Sequence, residues 1–290
     1  MESVFNNGGV IGKRSVYTID LSSGGDVDYQ AGIHLYRADD GNVTEYFTFD
    51  SPYGTSVTKV GDYTQFVGTH VCMTTNPDGS ILYAIRDGES IVRQYQLSQP
   101  FDIVNSSFTS LGQGNLQNNS GQRFQQPTFN SDGTKLFVNG GEGDNAISNA
   151  LYEYNLTTAF DVTTMSFSKS VNPAGNFDGG MGCVSWNDDG TRLYIGSRGD
   201  GANLHQYDLS TPFDIGTINN SITTQSNNGD PLCLQLSREG EYLFILHHSP
   251  DMLSRYTLTT PFDVTTLSSE VIIFDNVNNS GLYISGQPQY

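Results

Sequence analysis

Three cysteines, a histidine pair and a recurring set of carboxylates are the residues of this 290-residue chain whose types could do chemistry. Cys72, Cys183 and Cys233 could act as nucleophiles, metal ligands or disulfide partners. Each stands seven residues before a glycine, Gly79, Gly190 or Gly240, and Gln126 holds the same place before Gly133. A position that recurs in this way is expected to hold a small, soft, buried side chain rather than a reactive thiol. His247, His248 and Asp251 form the one local cluster of metal-ligand types. Neighbouring side chains at a strand end point to opposite faces, so the expectation is a pair of solvent-exposed loop histidines and no metal. Segment 140–145, Gly-Gly-Glu-Gly-Asp-Asn, is rich in oxygen donors. It misses the calcium nonapeptide by one position and occurs once, so a polar loop is expected there. Arg198-Gly199-Asp200 spells an adhesion tripeptide, to which no integrin role is assigned. No cofactor is expected.

The elements that would position these residues follow from a repeat. Gln94-Tyr95-Gln96-Leu97 runs to Pro100-Phe101-Asp102-Ile103. The pattern returns at Tyr154 to Phe160-Asp161-Val162, Tyr207 to Phe213-Asp214-Ile215 and Tyr256 to Phe262-Asp263-Val264, with the same six-residue step from Tyr to Phe. Phe47 to Tyr53 keeps that step in a worn copy. Upstream of each copy stands a turn that enters an aromatic-bearing strand: Asp78-Gly79, Asp132-Gly133, Asp189-Gly190 and Glu239-Gly240. Glycine accepts the positive φ that tight hairpins require. Asp102, Asp161, Asp214 and Asp263 are expected to accept hydrogen bonds from nearby backbone amides.

Units of four strands, a to d, every 50 residues or so predict an all-β chain folded as a single β-propeller over residues 1–290. The repeats span about 26–70, 71–122, 123–179, 180–228 and 229–275. Segments 1–25 and 276–290 close the ring. Five blades are expected, with six as the alternative, and the C-terminal strand is expected to close the ring. In such a meander the a-b and c-d turns share one face, while the b-c and d-a connections share the other. The second face holds the irregular segments, and variable loops on a rigid scaffold are where recognition resides. Its candidate binding residues are Arg86, Phe124, Asn176, Phe177, Arg198, Asp200, Asn227, Asn228 and His247. Aromatic and amide groups of this kind could stack on and hydrogen-bond a sugar.

Charged residues make up 15% of the chain, and the formal net charge of -18 disfavours nucleic acid and anionic membranes as partners. No stretch approaches transmembrane length, and the start lacks a secretory pattern. Glycoside cleavage needs carboxylates held at fixed separation. The expected inner strands 71–75, 126–129, 182–186 and 232–236 contain no Asp or Glu.

The repeat of Asp-Gly-x-x-Leu-Tyr followed by Tyr-x-Leu-Ser-x-Pro-Phe-Asp, over residues 32–264, resembles lactonase-like and YVTN-type propeller repeats, and in particular those of propeller proteins from environmental phages. That resemblance implies a virion component, such as a tail, fibre or decoration protein, assembled in the host cytoplasm. The expected function is a non-enzymatic structural or adhesion module that binds a protein partner or a cell-surface glycan. A multivalent lectin is the first alternative, and a lactonase-like or glycoside-cleaving enzyme the second.

Overall fold

The computed structural model describes residues 34–39, 43–49, 57–63, 70–86, 89–100, 106–117, 123–141, 149–173, 177, 180–197, 203–226, 230–237, 240–248, 252–275 and 282–285, with side-chain environments placed within residues 73–273. In chain order the strands of the first repeat are β1 (His34–Asp39), β2 (Val43–Phe49) and β3 (Val57–Tyr63). The second holds β4 (His70–Thr75), β5 (Ile81–Arg86), β6 (Ile91–Leu97) and β7 (Phe108–Asn115). The third holds β8 (Arg123–Phe129), β9 (Lys135–Gly141), β10 (Leu151–Leu156) and β11 (Met165–Val171). The fourth holds β12 (Met181–Trp186), β13 (Arg192–Ser197), β14 (Asn203–Leu209) and β15 (Ile218–Ser226). The last holds β16 (Asp230–Leu236), β17 (Tyr242–His248), β18 (Met252–Leu258) and β19 (Leu267–Asp275), and β20 (Leu282–Ser285) follows.

These strands form four-stranded antiparallel sheets, the blades of a β-propeller. Four of these blades are each built from four consecutive strands: β4–β7, β8–β11, β12–β15 and β16–β19. The first repeat supplies only three strands, and its sheet is ordered β20-β1-β2-β3. Leu35 pairs with Ile284 and Tyr36 with Tyr283. The expected closure segment 1–25 lies outside the described residues. No α-helix occurs among the described residues. Single 3-10 turns stand at Val162–Thr164, Ile215–Thr217 and Val264–Thr266.

Alternation along each strand sends successive side chains to opposite faces, and each face packs on the neighbouring blade. Leu136 and Val138 of β9 join Tyr83 and Ile85 of β5 in one buried cluster. Phe137, between them in sequence, faces the other way, where it packs with Val184, Trp186, Leu193 and Ile195. Cys183 and Tyr194 face onward again, to Leu234, Leu243 and Ile245. The core is therefore a set of seams between blades rather than one central mass. Cys183 and Cys233 are buried and stand outside any disulfide, as the repeat predicts.

Candidate functional site

On the a-b/c-d face, one local device repeats in three blades. The a-b glycine takes positive φ, 72° at Gly133, 70° at Gly190 and 69° at Gly240. The Phe of the c-d turn lies flat on it, and a Cβ at any of the three would collide with the ring of Phe160, Phe213 or Phe262. The amide of each Phe donates to the glycine carbonyl, at 2.9, 2.9 and 3.0 Å. These phenylalanines are themselves left-handed, with φ of 60°, 53° and 61°. That conformation costs roughly 1–2 kcal/mol for an L-residue and persists only where the surroundings hold it.

The following aspartate is the acceptor that the sequence predicts. Asp161, Asp214 and Asp263 cap the 3-10 turns by accepting from the amides of Thr163, Gly216 and Thr265. Partial burial alone would raise the Asp161 carboxyl, but hydrogen bonds from Thr163 and Gln94 outweigh it and hold the group below the ordinary carboxylate range. The Lys169 ammonium, 2.6 Å away, holds Asp214 low in the same way.

The partner from the preceding blade was not legible in the motif. It is the residue just before the repeating Tyr. Gln94 donates to Asp161 Oδ1 at 2.9 Å and accepts from the Val162 amide at 2.9 Å, so one carboxamide clamps two blades together. Gln206 accepts from Val264 N at 3.0 Å in the equivalent seam. In the seam between them the residue is Glu153, buried, whose Oε2 accepts from Ile215 N at 3.4 Å. Lys135 reaches Glu153 Oε1 at 3.2 Å and also donates to the Phe213 carbonyl. At the neighbouring seam that carbonyl role, now at Phe262, falls to Tyr194 Oη and Arg192. Phe137 replaces the tyrosine at the Glu153 seam, and Lys135 supplies the missing donor.

The two faces differ in loop length. The a-b connections are five residues long in all four consecutive-strand blades, and three of the c-d connections are eight residues long. The b-c gaps are four, nine, five and three residues, and the d-a gaps that lead to β8, β12 and β16 are seven, nine and three. The b-c and d-a connections, which differ most in length, lie on the face the sequence reading assigned to recognition.

Three of the predicted binding residues are buried. Phe124 is 1% exposed and packs edge-on to Tyr152 in the seam cluster. Phe177 is 5% exposed, against His205, and its carbonyl accepts from Asn149 Nδ2 and Gly180 N. His247 is fully buried in β17, opposite Met252 and Pro231, and is not a loop residue. Phe124 and His247 sit where β8 and β17 run further than their sequence pattern implies, and Phe177 sits in the connection between β11 and β12. Arg86 ends β5, beyond the placed side chains. Asn176, Arg198, Asp200, Asn227 and Asn228, together with segment 142–148 and Asp251, lie outside the described residues. The innermost strand of the last repeat starts at Asp230, earlier than expected, and so carries one carboxylate. Among the described residues no group of three or more His, Cys, Asp or Glu side chains could hold a metal ion, and no helix is long and apolar enough to cross a membrane.

With this geometry the chain can be set beside solved structures. Its β-propeller fold is shared with solved structures. A candidate 6-phosphogluconolactonase from Bacteroides fragilis NCTC 9343 matches it at a TM-score of 0.53 and 13% identity, over 99% of each chain. A candidate 6-phosphogluconolactonase from Bacteroides uniformis ATCC 8492 gives 0.49 and 12%, over 86% of this chain and 72% of the other. At such identities the likeness is one of fold. No protein-family model matches the chain, and no curated protein sequence matches it.

Proposed function

We propose that this chain is a non-catalytic binding module whose b-c/d-a face docks a protein partner or a cell-surface glycan. The observation that carries the reading is the asymmetry of the faces. One face has a-b connections of constant length, locked in three blades by the Phe–Gly contact, and the other has connections of differing length. A scaffold fixed on one side leaves the other free to vary without cost to the core. Arg198, Asp200, Asn227 and Asn228 remain the residues proposed to touch the ligand. A virion setting, with assembly in a host cytoplasm, draws its support from the repeat's resemblance to phage propellers. The reading takes the ring as five-bladed and closed by β20. In support, the inner strands adjoin in the order β20, β4, β8, β12, β16 and back to β20.

The test is binding of the purified protein to a glycan array and to whole cells. Arg198→Ala with Asn228→Ala serves as the loop variant. Saturable binding that the double variant loses supports the reading; binding that the variant retains in full overturns this choice of residues.

A second reading, lactonase-like hydrolysis, is favoured by the full-length fold likeness to the Bacteroides fragilis protein. Turnover of 6-phosphogluconolactone above the uncatalysed rate would establish it in place of the first.

A further inference from the structure

The inner strands carry a polar residue at one repeated register. Thr74, Thr128, Ser185 and Gln235 each stand five residues before the turn glycine, opposite Tyr83, Phe137, Tyr194 and Phe244 of the next strand. Tyr283 of β20 takes that register opposite Tyr36. All four of the first set are 1% exposed. The direction in which they point is given by the residues two positions earlier, on the same side of each strand. Gln126 Oε1 accepts from Val184 N of the next inner strand at 3.2 Å, and Cys183 Sγ donates to the Pro231 carbonyl of the one after, at 3.8 Å. Thr128 therefore faces the seam between β8 and β12, Ser185 the seam between β12 and β16, and Gln235 the side of β16 turned toward β20.

Three of these side chains end in an atom that neither reaches solvent nor meets a hydrogen-bond partner: Thr128 Oγ1, Ser185 Oγ and Gln235 Nε2. A single buried orphan is costly and uncommon. Three at the same register of successive inner strands are a pattern. A sequence that needed only packing there could place Val, Ala or Leu, as the adjoining register does with Val184 and Leu234.

We propose that ordered water binds in these inter-strand seams, one molecule held at each of Thr128, Ser185 and Gln235, as a partial ring about the propeller axis. Water fits the donor set. The two hydroxyls can donate or accept, whereas Gln235 Nε2 only donates and so turns away a cation. Buried water of this kind makes two to four hydrogen bonds to polar groups that would otherwise lack them. The inner strands face one another across the seams without a hydrogen-bond ladder, so their edge amides and carbonyls can supply the remaining bonds.

The test has two arms. A high-resolution crystal structure of the whole chain should show density about 2.6–3.2 Å from each of the three atoms. Empty seams, or an anomalous signal there after a bromide soak, overturn the proposal. Independently, Thr128→Val and Ser185→Ala are compared with the parent by thermal melting. If water is bound, each variant takes a partner from it and melts lower. If the hydroxyls are dry orphans, their removal relieves a penalty and the variants melt higher, which overturns the proposal even where crystals fail.

Discussion

Glu153 offers the sharpest test of how the blades are joined. Its neighbours at the same register, Gln94 and Gln206, clamp the next blade with a neutral carboxamide. The carboxylate of Glu153 is 1% exposed and lies 3.2 Å from the Lys135 ammonium. At an effective dielectric near 20 that separation corresponds to about 5 kcal/mol of attraction. Desolvating the two charges costs several kcal/mol and offsets most of it. The net worth of the charge is therefore close to zero, and the essential feature is the acceptor for Ile215 N. Glu153→Gln keeps that acceptor, leaves Lys169 on Asp214 and leaves Lys135 on the Phe213 carbonyl. It should change stability by less than about 1 kcal/mol. Glu153→Ala removes the acceptor, strands Lys135 beside a void and should cost about 3 kcal/mol. Urea unfolding followed by tryptophan fluorescence reads both. The single tryptophan, Trp186, lies in this same seam between Phe137 and Phe213. If Glu153→Gln proved as costly as Glu153→Ala, the ion pair itself would be the fastening and the clamp argument would be wrong.

Three further outcomes follow from the same geometry. Gly190→Ala places a methyl group at φ 70° and into the Phe213 ring, so it should destabilise by about 3 kcal/mol, whereas a change at the exposed Thr211 should be nearly silent in the same urea assay. Asp132, Asp161, Asp189 and Asp214 are all held below the ordinary carboxylate range. A carboxyl lowered in the folded state stabilises it above the unfolded value, and that contribution is lost as pH falls through the folded value. The urea midpoint should thus decline below about pH 4, and Asp161→Asn with Asp189→Asn should flatten the decline; an unchanged slope would show that other groups cause it. Burial raises the hydroxyls of Tyr83 and Tyr194 well above the ordinary tyrosine range. They bind their protons more tightly when folded, so stability falls as pH climbs past the unfolded value, and ultraviolet titration should find them ionising only together with unfolding.

What the sequence disclosed, and what it hid, divides along the two faces. The a-b/c-d face was legible because its devices are local. Asp161, Asp214 and Asp263 cap amides two residues away, and Asp-Gly announces its own turn. The thiols of Cys183 and Cys233 were legible as core because period alone marks a position as structural. Gln94, Glu153 and Gln206 escaped notice because their partners lie 68, 62 and 58 residues further along the chain. The recurring polar residue before each Tyr was the available signal. Phe124, Phe177 and His247 were misplaced for a different reason. Where a strand passes into an irregular loop, pattern does not say whether the last aromatic or histidine faces a seam or solvent, and burial in the neighbouring blade decides it.

The most direct test of the central claim is a face-selective comparison of ligand binding. One variant changes Arg198, Asp200, Asn227 and Asn228 on the variable face to alanine, and a second changes Thr158 and Thr211 on the locked face to alanine. Both are tested for cell and glycan-array binding beside the parent. The account predicts that the first abolishes or sharply weakens binding while the second binds as the parent does. Binding lost only in the second variant, or lost equally in both, would contradict it.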